Sequence, residues 1–251
     1  MRGNANPWEH FKSLFEQRAD RPLPPLKADL DYTQLPRSLA RSLAVFQLGE
    51  SGGGTVVSQA RASRLDAVDD DYASALAHFV AEENRHASML AICVRLLGGE
   101  LIRSNWTAKL FVFGRRLIGL RLKILVLLAA EVVGLCYYRL IASRLPPCNL
   151  RNWLLDIAED EASHLEFHCA FLRSQVRGPV SRFVFRSMWW SLMTISEIVV
   201  LVDHRRALRD LCIDRSEVRA SWRSYRQTVV SAVLESSPES GPAGSAACVS
   251  M

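Results

Sequence analysis

The stretch SALAHFVAEENRHASMLAICVRLL, residues 74–97, is apolar enough for a protein core, yet EENRH at 82–86 sets two carboxylates, an arginine and an imidazole into it. Burying one unpaired charge is so costly that such a cluster survives only if the charges satisfy one another or bind something. A second copy, EDEASH at 159–164, decides between the two. Superimposing the copies puts Glu83 over Glu161 and His86 over His164, with Glu82 and Asp160 immediately before. A Glu and a His three residues apart lie about 60° apart on a helix and reach the same point beside it. Each copy reads as half of a metal site.

Each copy is preceded by a helical pattern with a lone carboxylate in an apolar run: Glu50 in LAVFQLGESGGGTVV and Glu131 in LVLLAAEVVGLCYY. Glu131 has no charged neighbour closer than Lys123 or Arg139, which is hard to explain for a buried carboxylate without a cation. If these helices pair as antiparallel hairpins with the acids level, the turns fall midway, at 66–67 inside SRLDAVDD and at Pro146 in RLPPCN. Both midpoints are helix breakers. The order Glu, Glu-x-x-His, Glu, Glu-x-x-His is the di-iron or di-manganese carboxylate arrangement of a four-helix bundle.

The helix period predicts helices over about 37–64, 69–97, one ending near 144, 149–175, and two more within 179–210 and 214–235, with no convincing strand pattern. The expected fold is all-α. Residues 1–36, an amphipathic opening followed by RPLPPLKADLDYTQLP, read as an extended N-terminal arm. Residues 37–175 form the metal-binding bundle, 176–235 accessory helices packed on it, and 236–251 a disordered small-residue tail. The 49% apolar composition suffices for one large core.

A net charge of +5, carried mostly by scattered arginine, lacks the dense basic tract interleaved with aromatics that a nucleic-acid groove requires. Six single cysteines without a CxxC pair argue against zinc knuckles and disulfide scaffolds and for reduced thiols in a cytoplasm. The segments 122–138 and 187–202 are short of a bilayer span and each carries a mid-segment Glu, Glu131 or Glu197. They read as helices buried on all sides of a bundle, with peripheral membrane contact as the alternative.

The six residues Glu50, Glu83, His86, Glu131, Glu161 and His164 resemble the ligand set of the ferritin-like superfamily of di-iron proteins, which spans rubrerythrins, ribonucleotide reductase small subunits, bacterial monooxygenases and soluble acyl-carrier-protein desaturases. The desaturase motifs are locally nearest: AEENRH, and IAEDEASH against IAxDExxH. The chain is shorter than those enzymes, and DEASH lacks the arginine of EENRH. The resemblance implies a ferritin-like four-helix bundle with two additional C-terminal helices, Glu83 and Glu161 bridging two metals, and Glu50 and Glu131 terminal. Carboxylate and imidazole donors without thiolate suit iron, with manganese as the alternative.

Glu82 and Asp160 are either acceptors for the free N–H groups of the ligand histidines or solvated acids, the resemblance favouring the former for Asp160. Arg85 is expected to pair with one of them. His168, seven residues after Glu161, is either an extra ligand or a core histidine. Gly53 and Gly134 each follow a terminal carboxylate by three residues and clear space for dioxygen or substrate, or for close helix packing. Tyr137, Tyr138, Trp189 and Trp190 read as core or interface aromatics.

The function this implies is an O2-dependent di-iron oxygenase or oxidase that hydroxylates, desaturates or N-oxygenates an apolar, lipid-like or aromatic substrate, with an external electron donor. The competing class is an iron-oxidising, iron-storing or peroxide-scavenging protein, or a scaffold that only holds metal. The expected location is cytoplasmic, with a homodimer and membrane association left open.

Overall fold

The computed structural model describes residues 6–19, 21–24, 30–51, 54–105 and 119–235. Gly53, most of the connection between the two halves of the bundle, and the C-terminal tail fall outside them. The described residues form an all-α bundle without strands. Its helices are α1 (Pro7–Ala19), α2 (Arg37–Glu50), α3 (Gly54–Arg61), α4 (Asp70–Leu96), α5 (Leu120–Arg144), α6 (Asn149–Gln175), α7 (Pro179–Asp203), α8 (Arg205–Asp210) and α9 (Arg215–Leu234).

Local chemistry sets the boundaries. Asp69 caps α4 by accepting the Tyr72 backbone N–H at 2.8 Å, and Asp70 and Asp71 add negative charge to its first turn. Gly98, at φ +68°, ends that helix, and Gly99 comes so near α2 that a Cβ there would lie 2.6 Å from Ala40 Cβ. α5 stops at Arg144, ahead of Pro146 and Pro147. Asp214 and Glu217 form a capping box at the start of α9.

α2 and α4 make one antiparallel pair, with Ala40 beside Gly99 at one end and Glu50 near Glu83 further along. α5 and α6 make the other, closed at one end by a 2.9 Å hydrogen bond from Arg121 Nε to Gln175 Oε1. Both turns lie where the register argument puts them, between Arg61 and Asp70 and between Arg144 and Asn149. The helix expected over 37–64 is interrupted, however: α2 ends at Glu50 and α3 begins at Gly54. Three consecutive glycines, Gly52–Gly54, remove helix propensity at that point.

Two other expectations need correction. The opening segment is more than an arm, because Pro7–Ala19 is a helix docked on α4, and its Trp8 and Phe15 are fully buried. Asn6 Nδ2 donates to Asp69 Oδ2 (2.8 Å) and Asp71 Oδ2 (3.0 Å), and Lys12 pairs with Asp71 (2.8 Å), fastening the start of α1 to the start of α4. Secondly, α5 and α7 are both long and apolar enough to cross a membrane, but only α5 is a buried core helix. The buried share of its most apolar window is 78%, against 22% for α7. The apolar run of 187–202 is therefore two-sided: Trp189, Met193 and Val200 pack inward while Trp190, Ile195, Ile198 and Val202 face out.

Phe15 has no exposed surface and packs edge-on against Phe167 and His164, at ring separations of 5.5 and 5.4 Å. Phe15→Ala should lower the unfolding free energy by about 3 kcal/mol or more in urea titrations followed by circular dichroism. A loss below about 1 kcal/mol would mean that α1 is not part of the cooperative core.

Candidate metal centre

The hairpins bring acids and imidazoles from four helices to one depth. α2 ends on Glu50, α4 supplies Glu82, Glu83 and His86, α5 supplies Glu131, and α6 supplies Asp160, Glu161, His164 and His168. Their donor atoms form two groups, Glu50, Glu83, His86 and Glu161, and Glu83, Glu131, Glu161 and His164, each with all donors within 4.8 Å of one another. Glu83 and Glu161 belong to both. The two groups could each hold a metal ion, with the shared acids between them.

The imidazoles are crossed between the copies. His86 Nδ1 faces inward, 3.3 Å from Glu161 Oε1 and 3.6 Å from Glu83 Oε1, while its Nε2–H donates outward to Asp160 Oδ2 at 3.2 Å. His164 Nδ1 lies 3.3 Å from Glu83 Oε1, 3.4 Å from Glu161 Oε2 and 3.5 Å from Glu131 Oε2, and its Nε2–H donates to Glu82 Oε2 at 2.7 Å. Thus the acid preceding each shared Glu orients the histidine of the other helix. A carboxylate on one ring nitrogen fixes the tautomer and leaves the other nitrogen's lone pair free for a ligand.

Whether a metal fits is tested by what the inward atoms lack. Among the described residues, the buried atoms Glu83 Oε1, Glu161 Oε1 and His86 Nδ1 have no hydrogen-bond partner. Buried polar atoms are nearly always satisfied, so several left bare at one point mark a place for a cation. Four carboxylates also match the charge of two divalent ions. The residues present fit such a pair.

Without metal, protons must do the neutralising. Burial, then the charges of Glu131 and Glu83, push the Glu161 carboxyl up to about 8, and burial with the charges of Glu83 and Glu161 drives Glu50 well above the carboxylate range. Burial disfavours the charged forms of His86 and His164, but the surrounding carboxylates outweigh it and raise both. Burial also opposes ionisation of Glu83, yet the neighbouring His164 and His86 imidazoles hold it low.

Asp160 is held by cations from α4 and from the N-terminal segment outside the four helices. Arg21 Nη2 donates to both of its oxygens at 2.7 Å, Arg18 Nη1 lies 3.3 Å away, and Arg85 Nη1 lies 3.6 Å away. Arg85 also bonds Asp156 (3.2 Å) and the Arg21 carbonyl (3.3 Å), tying α4, α6 and the chain after α1 together. Asp160 sits below its ordinary range: burial raises it, but the bond and charge of His86 and the charge of Arg21 overcome that. Arg18, Arg21 and Asp156 escape a reading by motif, since no local spacing connects residues 18–21 with 160.

His168 is fully buried, with Nε2 3.6 Å from Glu131 Oε1, too far for a hydrogen bond, and it belongs to neither donor group. Burial and the charge of His164 push it down to about 3, so it stays neutral. Gly134 has a specific neighbour: a Cβ there would meet the Tyr138 ring at 3.2 Å and Glu161 Cδ at 3.8 Å. Its missing side chain makes room for Tyr138, whose O–H donates to Glu50 Oε1 at 2.6 Å. Tyr138 follows Glu131 by seven residues, two helical turns, and that spacing was the available signal for its presence at the site.

Comparison with protein-family models, curated proteins and solved structures finds no match to this chain.

Between its unfolded value of 4.5 and about 8, Glu161 holds a proton in the folded state that the unfolded chain has released, so stability falls as pH rises. His86 and His164, raised from 6.5, act in the same direction above that value. His168 and His204, lowered to about 3 and about 4, oppose it only below 6.5. The metal-free protein should therefore lose thermal stability between pH 6.5 and about 8, and saturating Mn2+ should flatten the slope by replacing the protons. A metal-free melting temperature that holds or rises over that window would contradict this electrostatic account.

Proposed function

We propose that this chain is a ferritin-like di-iron protein that activates dioxygen to oxidise an apolar organic substrate. The observation that carries the reading is the pair of donor groups sharing Glu83 and Glu161, each completed by one terminal acid and one oriented histidine. Glu50 and His86 would hold one ion, Glu131 and His164 the other, and the two shared acids both. Two iron ions held there would supply the electrons for dioxygen activation and the site at which it occurs.

The chain's own residues orient and shield. Glu82 and Asp160 fix both imidazoles with Nδ1 inward. The Tyr138 O–H donates to Glu50 and holds that carboxylate in place at the C-terminal end of α2. Phe15 and Phe79 stand edge-on against His164, with ring centroids 5.4 and 4.7 Å away, and Phe79 also covers His168 at 4.9 Å. These rings line the His164 side of the site with apolar surface, in keeping with the apolar substrate proposed.

Protein purified after growth with iron should contain about two metal ions per chain. Glu131→Gln, nearly isosteric, should leave the helix content unchanged but weaken metal binding and abolish oxygen uptake by the ferrous protein. Unchanged metal content and oxygen reactivity in that variant would remove α5 from the site and the oxygenase reading with it. In the wild type, oxygen uptake that depends on an added organic substrate supports an oxygenase. Mineral growth beyond two irons per chain indicates storage, and no uptake indicates a scaffold.

A further inference from the structure

We propose that α7 is a membrane-docking helix that lays its outer face on an anionic phospholipid surface. This inference does not depend on the metal centre. Seven large apolar side chains are exposed on α7: Val180, Phe183, Val184, Trp190, Ile195, Ile198 and Val202. With spacings of three, four and seven or eight, they fall on one side of the helix, opposite the buried Phe185, Trp189, Met193 and Val200. The stripe runs about 33 Å, from Val180 to Val202, at about 1.5 Å per residue. Three of the ten large hydrophobic side chains exposed among the described residues lie elsewhere, and they are scattered.

The charge around this stripe identifies what covers it. Residues 176–235 contain ten arginines and no lysine against six acids, a surplus of four out of the net +5 of the whole chain. Several of these arginines border the stripe on the α9 side. Arg182 and Arg186 line a groove of about 480 Å³ with Phe183, Val230, Leu234 and Glu235. Arg226 lies 3.6 Å over the Trp190 ring, and Arg219 pairs with Glu197 at 3.2 Å.

An apolar helix face carrying Trp and Phe beside a guanidinium row is the pattern of an interfacial helix on anionic lipid, and guanidinium matches phosphate geometry better than ammonium. A second copy of the chain is disfavoured, because a two-fold interface on this face would gather both arginine rows around it. The residues after Glu235 offer little to cover it, since 236–251 hold only Val249 and Met251 as larger aliphatic side chains. α7 lies on the surface rather than spanning it, because its other face is committed to α9 and α5.

The test is co-sedimentation of the full-length protein with phosphatidylglycerol and with phosphatidylcholine vesicles, beside sedimentation velocity without lipid. The expected result is a monomer that binds phosphatidylglycerol vesicles, more weakly as salt is raised, and binds phosphatidylcholine poorly. Phe183→Glu with Ile198→Glu changes only exposed positions, at 72% and 55% exposure, and should weaken binding at least about tenfold with unaltered circular dichroism. Arg186→Gln should reduce the preference for the anionic lipid. The proposal is overturned by failure to bind, by equal binding to both lipids, by binding that survives the double substitution, or by a wild-type dimer that this substitution turns into monomers.

Discussion

Four carboxylates brought to one point in a helical core set the terms for everything around them. Glu50, Glu83, Glu131 and Glu161 come from four different helices, so their mutual repulsion pushes directly against the packing of the bundle. Without metal, the cluster survives by a division of labour: Glu161 and Glu50 favour the protonated form, Glu83 the ionised form, and His86 and His164 the protonated form beside it. Stability must then come from elsewhere. The fully buried Tyr72, Phe79, Phe167 and Phe171, joined by Trp8 and Phe15 from α1, form an aromatic cluster that reaches His164 and whose packing does not depend on the charge state of the acids.

α1 is thus both hydrophobic cover and electrostatic support. Its aromatic residues seal the flank of α4 and α6, while Arg18 and, just beyond the helix end, Arg21 reach the Asp160 carboxylate that orients His86. One short helix therefore links the hydrophobic packing of the bundle to the orientation of a donor atom. Its N-terminus is fixed separately through Asn6 and Lys12 to Asp69 and Asp71, so the guanidinium groups arrive from a helix already anchored at its other end.

The parts legible in the sequence were those governed by local spacing. Helical period, Asp and Pro breakers and paired Glu-x-x-His motifs depend on neighbours within a few residues, and they gave the register that brings Glu50 to Glu83 and Glu131 to Glu161. What escaped depends on long-range packing. The tie between Arg21 and Asp160 spans 139 residues and leaves no periodic trace. Gly134 reads from sequence either as open space beside a carboxylate or as close packing, and only the fold shows that the Tyr138 ring fills the place. The sequence left α7 open between full burial and peripheral membrane contact because its run is apolar on both sides, and hydrophobicity alone does not separate a core helix from one with an outward face.

The near-symmetry of the two motifs makes their one asymmetry informative. Both histidines donate Nε2–H to the acid preceding the opposite shared Glu, but the two acids are not equivalent. Asp160 is shared with guanidinium groups from Arg18, Arg21 and Arg85, which draw on the same lone pairs that His86 uses. Glu82 meets His164 at a shorter 2.7 Å, and its other oxygen, Oε1, has no hydrogen-bond partner among the described residues. A carboxylate that is not shared with cations withdraws the ring proton more strongly and makes the opposite nitrogen the better electron donor. Two candidate donor groups that are equal in the motif are therefore unequal in the fold, and His164 would be the stronger donor to a metal held there. The difference arises partly from Arg85 inside the first motif and partly from Arg18 and Arg21, in an N-terminal segment that neither motif contains.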